Sequence, residues 1–221
     1  KTSATLAINE LSHQLEKNGR EIFKFGLGQS PFPVPQIIVE ELKKNAQQKN
    51  YINVSGLFEL RNLVSQYHSI KNKNNYTAED VIIGPGSKEL IFQTQLVLDC
   101  DVLLPRPSWV SYEPQAQILN KKIHWITTGI TSNWHITPDE LDKACQNLQN
   151  IEKLLILNSP NNPSGTIHNN LESLAIIIRK YNIIVLSDEI YTELDFSGNY
   201  KSMSHYCPEQ TIISSGLSKW C

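Results

Sequence analysis

The chain has 221 residues, 40% of them hydrophobic and 19% charged, with a formal net charge of -2, which is ordinary for a globular domain and gives no electrostatic reason to expect nucleic acid or a membrane as a partner. It has no apolar run near the roughly 20 residues of a membrane helix, and no signal-peptide core at its N-terminus. The four cysteines are widely spaced and the six histidines lack metal-binding spacing, so we expect reduced thiols, no metal site and a cytoplasmic location.

The first part of the chain predicts helices and one loop. Apolar residues recur at helical spacing over residues 4–17, and a loop rich in Gly and Pro follows over residues 26–35. Further helical patterns lie at about 36–48 and 56–70. This part of the chain therefore contains no predicted strand.

From residue 80 the pattern changes to alternating strands and helices. Short apolar strands are predicted at 81–83, 102–104, 123–126, 154–157, 183–186 and 211–214, with helices at about 87–98, 111–119, 137–149 and 170–181. The third of these helices opens with Thr137-Pro-Asp-Glu140, which supplies a cap residue, a proline and a first-turn carboxylate. The alternation predicts an α/β fold, a three-layer α/β/α sandwich with a mostly parallel sheet. Ligands of such sheets gather at the carboxyl ends of the strands.

Four segments that carry polar or reactive side chains each follow a predicted strand, and a fifth supplies an aromatic. They are Gly84-Pro-Gly-Ser-Lys-Glu89, Asn158-Ser-Pro-Asn-Asn-Pro-Ser-Gly165, Ser187-Asp-Glu-Ile-Tyr191, Ser214-Ser-Gly-Leu-Ser-Lys219 and, for the aromatic, Pro105-Arg-Pro-Ser-Trp-Val-Ser-Tyr112. Taken singly, each has an ordinary interpretation as a turn, a helix start or a solvated lysine. Their occurrence in one order along one predicted sheet edge favours a joint site.

Three other motifs do not match. A dinucleotide fingerprint would need a glycine where Glu89 stands, and a P-loop would need Gly-Lys-Ser/Thr after four spacer residues. A Ser-x-x-Lys acyl-transfer site would need a serine at Gly216.

In their order and spacing, Asn-x-Pro-Asn-Asn-Pro-Ser-Gly, Ser-Asp-Glu-Ile-Tyr and Ser-x-x-Ser-Lys resemble the class I/II aminotransferases, which are fold-type-I enzymes dependent on pyridoxal phosphate (PLP). The resemblance runs from about residue 20 to 221. It includes an entrance loop at Gly28 to Pro35 and a segment at Tyr51 to Arg61 that is similar to the family's YxxxxGxxELR pattern. It implies PLP as cofactor, an amino acid and a 2-oxo acid as substrates, and a homodimer.

The resemblance also implies a role for each matching residue. Lys219 is expected to form the Schiff base with PLP and to act as the catalytic base. The cofactor-binding residues are expected to be Asp188 on the ring nitrogen, Asn162 and Tyr191 on the phenolic oxygen, Trp109 stacked on the ring, and Gly86, Ser87 and Lys88 at the phosphate. Gly28 is expected to bind the substrate carboxylate through its backbone. Tyr51 is expected to reach the phosphate in the partner subunit.

By the same resemblance, residues 1–75 are expected to form the entrance loop and dimer-contacting helices, and residues 76–221 the PLP-binding large domain. Because the chain starts without Met and stops just after Lys219, we expect a fragment without the C-terminal small domain, weakly active at most by itself. The family's arginines for the phosphate and the substrate carboxylate are then missing, and Arg106 is at neither position. Many members have a phosphate-binding serine where this chain has Gly216, which leaves Ser214 or Ser218 as substitutes. The turn at 98–101 also lacks the usual Pro-Gly-Asp.

Two alternatives to transamination remain. One is a PLP-dependent lyase of the same fold, such as a C–S lyase or a cyclopropane-carboxylate synthase, which product analysis would distinguish. The other is a non-catalytic PLP-binding regulatory module fused to a DNA-binding domain, for which residues 1–25 are too short. The sequence does not identify the substrate.

Overall fold

The computed structural model describes residues 4–26, 28–148 and 151–221. The chain divides into two units. One consists of Lys1–Gln48 with Lys219–Cys221, and the other consists of Lys49–Ser218.

Helices and strands alternate along most of the larger unit. The helices of the chain are α1 (Ala4–Lys17), α2 (Gln36–Asn45), α3 (Phe58–Asn72), α4 (Ser87–Val97), α5 (Tyr112–Ile118), α6 (Pro138–Cys145) and α7 (Leu171–Lys180). The strands are β1 (Asp101–Arg106), β2 (Ile123–Thr127), β3 (Lys153–Asn158), β4 (Ile183–Asp188) and β5 (Thr211–Ser214). These elements agree with the predicted alternation from residue 87 onward.

The five strands form one sheet in the order β2-β1-β3-β4-β5, and every neighbouring pair is parallel. Leu103 pairs with Leu155, which pairs with Val185, so one row of aliphatic side chains crosses the three central strands. Such apolar strands are typical of a parallel sheet covered on both faces. The prediction of a mostly parallel sheet is confirmed.

Two separate core clusters show that helices cover both faces of the sheet. Successive side chains of a strand point to opposite faces. Accordingly Leu103 belongs to one cluster with residues of α6 and α7, whereas Leu104 belongs to the other with residues of α4 and α5. The apolar residues of α7 that pack on the first cluster include Leu174 and Ile178, both fully buried. The α/β/α sandwich expected from the sequence is therefore confirmed.

Helix α6 begins where the segment Thr137-Pro-Asp-Glu140 predicted a helix start. The hydroxyl of Thr137 accepts a hydrogen bond from the Glu140 N–H at 3.2 Å, and the Glu140 carboxylate accepts one from the Thr137 N–H at 2.8 Å. This reciprocal capping box satisfies two backbone donors that the first turn leaves without partners. The helix ends at Cys145, earlier than predicted, and residue 149 of the predicted end lies outside the described residues.

The predicted buried strand at 81–83 is wrong. The segment follows a 3-10 turn and is extended, and Ile82 is 65% exposed. Its Ile83 N–H donates to the carbonyl of Ser55 at 2.9 Å, and none of the five strands in the described sheet pairs with it. Three apolar residues make a buried strand only if a neighbouring strand covers them, and that depends on the rest of the fold.

The smaller unit contains α1, α2 and the loop between them. Leu6, Ile8 and Leu11 of α1 are each more than half exposed, so the apolar positions that predicted this helix lie at its surface. Helix α2 carries two surface ion pairs, Lys43 with Glu40 and Lys44 with Glu41. Such pairs contribute little to stability.

All four cysteines are free. No helix in the described part of the chain has the length and apolar character needed to cross a membrane. Among residues 4–26, 28–148 and 151–221, no three side chains of the His, Cys, Asp or Glu type form a group that could hold a metal ion.

Candidate functional site

Asp188, the last residue of β4, is an acid buried in the protein, with only 3% of its surface exposed. One carboxylate oxygen accepts a hydrogen bond from the Tyr112 hydroxyl at 2.5 Å, and the other accepts from the Ile190 N–H at 3.4 Å. No ion pair of the described residues includes it. Burial raises the pKa of Asp188, and the two hydrogen bonds oppose that rise. A buried carboxylate without a cationic partner is costly, so this site is suited to a cationic ligand.

Tyr112 contacts the carboxylate of Asp188, and the sequence did not predict this contact. It is the first residue of α5 and is fully buried in the core cluster that contains Leu104 and Ile156. Its ring meets the ring of Trp109 edge to face, with centroids 5.3 Å apart. Burial and the neighbouring charge of Asp188 raise the pKa of Tyr112 well above its usual value, so the phenol stays a hydrogen-bond donor. Its nearness to Trp109 in sequence was visible, but its contact with a residue 76 positions away was not.

The loops after β3 and β4 bring two further predicted residues, Asn162 and Tyr191, to the same edge of the sheet. Asn158 lies beside Asp188 in the sheet register and donates its amide to the Asp188 carbonyl at 2.9 Å. Its side-chain oxygen accepts from the Asn162 N–H at 2.7 Å, which holds the loop over the strand end. The Asn162 amide then donates to the Tyr191 hydroxyl at 3.2 Å. Asn162 and Tyr191 therefore present polar hydrogens at one place, as expected from their positions after β3 and β4.

The start of α4 combines a helix N-terminus with a cation and an aromatic ring. Gly86 precedes the helix with a φ of 150°, a conformation that side-chain-bearing residues rarely adopt. Ser87 and Lys88 are the first two helical residues, so their N–H groups have no acceptor within the helix. The Lys88 ammonium lies 5.0 Å from the centre of the Trp109 ring. A helix start with a nearby ammonium favours an anionic group.

The turn after β5 contains Gly216 and several serines. A Cβ atom at Gly216 would lie 3.3 Å from a methyl carbon of Ile190, so that side chain would have to shift by a few tenths of an ångström. The hydroxyl of Ser214 is buried without a hydrogen-bond partner among the described residues, whereas Ser218 is exposed. Ser214 is thus the polar group at this turn whose hydrogen-bonding capacity is unused.

His68 packs against the turn that follows β5. Its Nε2 lies 3.2 Å from the Ser215 hydroxyl. Burial, followed by the charge of Lys71, lowers the pKa of His68 to about 4. The imidazole is therefore neutral at physiological pH, and it holds the turn by a hydrogen bond rather than by charge.

Lys219 and Gly28 lie together in the smaller unit. The Lys219 ammonium donates a hydrogen bond to the Gly28 carbonyl at 3.0 Å. Tyr51 belongs to the larger unit, where its side chain is fully exposed. The predicted site residues thus occur as a buried cluster around Asp188, a helix start at Gly86, a Lys219–Gly28 pair and a surface tyrosine.

Comparison with known proteins identifies relatives of the chain. The family model for aminotransferase class I and II matches residues 20–220. The chain is 28% identical to an aspartate aminotransferase of Bacillus subtilis and 30% identical to an asparagine--oxo-acid transaminase of Streptococcus mutans, with 98% of the chain covered in both cases. It also matches the structure of aspartate aminotransferase from Thermus thermophilus with maleate, with a TM-score of 0.91 at 27% identity over 99% of the chain.

The matches cover only part of each relative. The chain spans 57% of the Bacillus subtilis protein, 58% of the Streptococcus mutans protein and 58% of the Thermus thermophilus chain. The structural match nevertheless extends over almost every residue of this chain, so the sheet and the strand-end loops described above are the shared part.

Proposed function

The chain belongs to the class I and II aminotransferases, a family that depends on PLP, and we propose that it is the cofactor-binding part of an enzyme that transfers the amino group of an amino acid to a 2-oxo acid. The observation that carries this proposal is the buried Asp188 at the end of β4, hydrogen-bonded by Tyr112 and without an ionic partner in the described chain. No feature of the site favours a lyase or a regulatory module.

The cluster around Asp188 fits the ring of PLP. When bound, PLP supplies an aldehyde that takes up the amino group and a protonated ring that withdraws electrons from the substrate. In our proposal the Asp188 carboxylate would accept a hydrogen bond from the protonated ring nitrogen, which would give this buried carboxylate a cationic partner. Asn162 and Tyr191 donate hydrogen bonds to the phenolic oxygen. Trp109, which is half-buried beside Tyr112, provides an aromatic surface for the ring.

The phosphate of PLP is assigned to the start of α4. Gly86, Ser87 and Lys88 offer backbone N–H groups, a hydroxyl and an ammonium at one helix end. For the hydroxyl that Gly216 does not supply, we propose Ser214, because its oxygen is buried and unpartnered among the described residues.

Lys219 is proposed as the catalytic residue. Its place in the motif that follows β5 supports covalent attachment of PLP to its amine. With PLP bound, the Lys219 amine would serve as the general base that takes the proton from the substrate α-carbon. Gly28 is proposed to bind the substrate carboxylate through its backbone.

We also propose that the protein is a cytoplasmic homodimer in which Tyr51 reaches the phosphate bound by the partner subunit. The support is the exposure of this segment: Tyr51 is fully exposed, and Val54 is 98% exposed. The proposed division into N-terminal segments at 1–75 and a PLP-binding domain at 76–221 follows from the same family resemblance. Aspartate is the substrate to test first, because two of the relatives are named for aspartate and one for asparagine.

Borohydride trapping tests the proposed function. Adding PLP to the protein is expected to give an absorbance band of a lysine imine, and reduction is expected to leave a pyridoxyl group on Lys219, located by peptide mass spectrometry. Lys219→Ala removes the amine, so the band and the adduct should disappear and turnover of aspartate with 2-oxoglutarate should fall by about a thousandfold.

Lys143→Ala is the matched control, because Lys143 is an exposed lysine on α6. This variant should keep the band, the adduct on Lys219 and the turnover of the parent protein. Trapping of PLP on several surface lysines with none on Lys219 would contradict the proposal.

A further inference from the structure

The hydroxyl of Tyr112 contacts the Asp188 carboxylate directly, at the oxygen opposite the one that accepts from Ile190. Tyr112 and Asp188 are 1% and 3% exposed, and the hydroxyl–carboxylate distance is 2.5 Å. A hydrogen bond to a charged group is stronger than one between neutral groups, and burial strengthens it further. This is also the shorter of the two hydrogen bonds to the Asp188 carboxylate, since the Ile190 N–H lies 3.4 Å away.

The position of the Tyr112 hydroxyl is fixed from several directions. The ring is packed in the core cluster with Leu104, Ile156 and Leu186, and its edge-to-face contact with Trp109 fixes its orientation. A tyrosine ring has two rotatable side-chain bonds before the hydroxyl, so a packed ring leaves its oxygen little freedom. The hydroxyl is therefore a rigid donor aimed at one carboxylate oxygen.

Resting on the proposed function, we infer that Tyr112 is a positioning residue for Asp188. By donating to one carboxylate oxygen, Tyr112 orients the group and leaves the other oxygen to meet the ring nitrogen of PLP. The donated hydrogen bond also favours the ionised carboxylate, which in turn favours the protonated ring nitrogen. Tyr112 would thus tune the electron-withdrawing ring through Asp188, without touching the substrate.

Replacing Tyr112 should change how the proton is shared between the Asp188 carboxylate and the ring nitrogen of PLP. Tyr112→Phe keeps the ring and its packing but removes the donor. Asp188 then becomes more basic and draws the proton away from the ring nitrogen toward its own oxygen. The expected readout is the ¹⁵N resonance of PLP labelled at the ring nitrogen, which should move toward the position of an unprotonated pyridine. In addition, kcat should fall about tenfold with KM changed less than about twofold.

A purely structural role would not change that resonance, so a control of similar destabilisation is needed. Ile156→Val removes one methylene from the same core cluster and leaves the Tyr112 hydroxyl in place. It should lower thermal stability while the ¹⁵N resonance stays at the position of the parent protein. In an Asp188→Asn background, Tyr112→Phe should have no further effect on the resonance, because Tyr112 acts through Asp188.

The outcomes separate this inference from the proposed function. If the parent protein binds PLP and Tyr112→Phe leaves the ¹⁵N resonance and kcat unchanged, Tyr112 has no positioning role and the proposed function stands. If Tyr112→Phe shifts the resonance equally in the parent and in Asp188→Asn, its action does not pass through Asp188 and the inference is overturned. A parent protein that takes up no PLP would overturn the proposed function and this inference with it.

Discussion

Two stacked histidines, His135 and His168, hold neighbouring loops of the larger unit together. Their ring centroids are 4.7 Å apart with an interplanar angle of 30°, and both side chains are 5% exposed. Each has one ring nitrogen without a hydrogen-bond partner among the described residues. Burial, followed by the charge of His135, lowers the pKa of His168 to about 3, and burial also lowers the pKa of His135. The lowered pKa values therefore favour the neutral form of both rings.

This arrangement predicts a loss of stability in mild acid. In the unfolded chain a histidine takes up a proton near pH 6.5, whereas His168 in the folded protein does so only near pH 3. Stability is therefore fully present above pH 6.5 and decreases as the pH falls from there toward 3. At pH 5 His168 should account for about 2 kcal/mol of that decrease. Chemical denaturation at pH 7.5 and pH 5 measures it: in His168→Leu the difference between the two pH values should be smaller by about this amount.

His13→Leu is the control for that prediction, since His13 is exposed on α1. Its pH dependence should equal that of the parent protein. A His168→Leu protein whose stability falls with pH as steeply as the parent's would show that other groups cause the acid sensitivity.

Some of these residues could be predicted from sequence and others could not. Asp188 is the last residue of β4, and Asn162 and Tyr191 lie in the loops that follow β3 and β4. Because a parallel sheet brings its strand ends to one edge, chain order was enough to expect these residues at that edge. Tyr112 and His168 act through contacts with residues distant in sequence. An isolated tyrosine or histidine is more often an ordinary core residue, and no local pattern distinguishes the two cases.

Helix α6 provides a test of how far local sequence determines an element. Its cap residue Thr137 and first-turn carboxylate Glu140 were predicted from sequence, and the structure joins the two in a capping box whose hydrogen bonds link residues three positions apart. Thr137→Ala removes the acceptor for the Glu140 N–H and should cost about 1 kcal/mol, a decrease in Tm of about 2–4 °C by calorimetry. Thr137→Ser keeps the hydroxyl and should unfold close to the parent. Equal losses in the two variants would assign the effect to the missing methyl group instead of the cap.

The segment at 81–83 shows the opposite case. Its three apolar residues look like the start of the sheet, yet Ile82 is largely exposed and the described sheet begins at β1. For β3 and β4 the same kind of apolar run was correctly assigned, because paired strands cover both edges of each. A strand needs a partner that its own residues do not encode, whereas a helix cap does not.

At the scale of the whole chain, the comparisons explain why the fold could be predicted from sequence although the substrate could not. At 27% identity the structural match to the Thermus thermophilus protein still has a TM-score of 0.91. Sheet rows such as Leu103, Leu155 and Val185 need only aliphatic side chains of suitable size, and many sequences satisfy that requirement. Substrate choice depends on a few particular side chains at the site, and no pattern of hydrophobicity specifies them.

If the protein is a homodimer as proposed, the exposed segment around Tyr51 should lie in the interface between the subunits. Val54 is 98% exposed, and covering such a side chain with a partner is worth about 1.5–3 kcal/mol. Val54→Glu would place a charge in that interface, so sedimentation over a concentration series should show the dimer dissociating at concentrations at least about tenfold higher than in the parent. Ile176→Glu changes a residue that is 64% exposed on α7 and is not part of the segment predicted to contact the partner, so it should leave the dimer intact. A monomeric parent protein would contradict the homodimer, and equal dissociation of the two variants would show that the interface does not involve the Tyr51 segment.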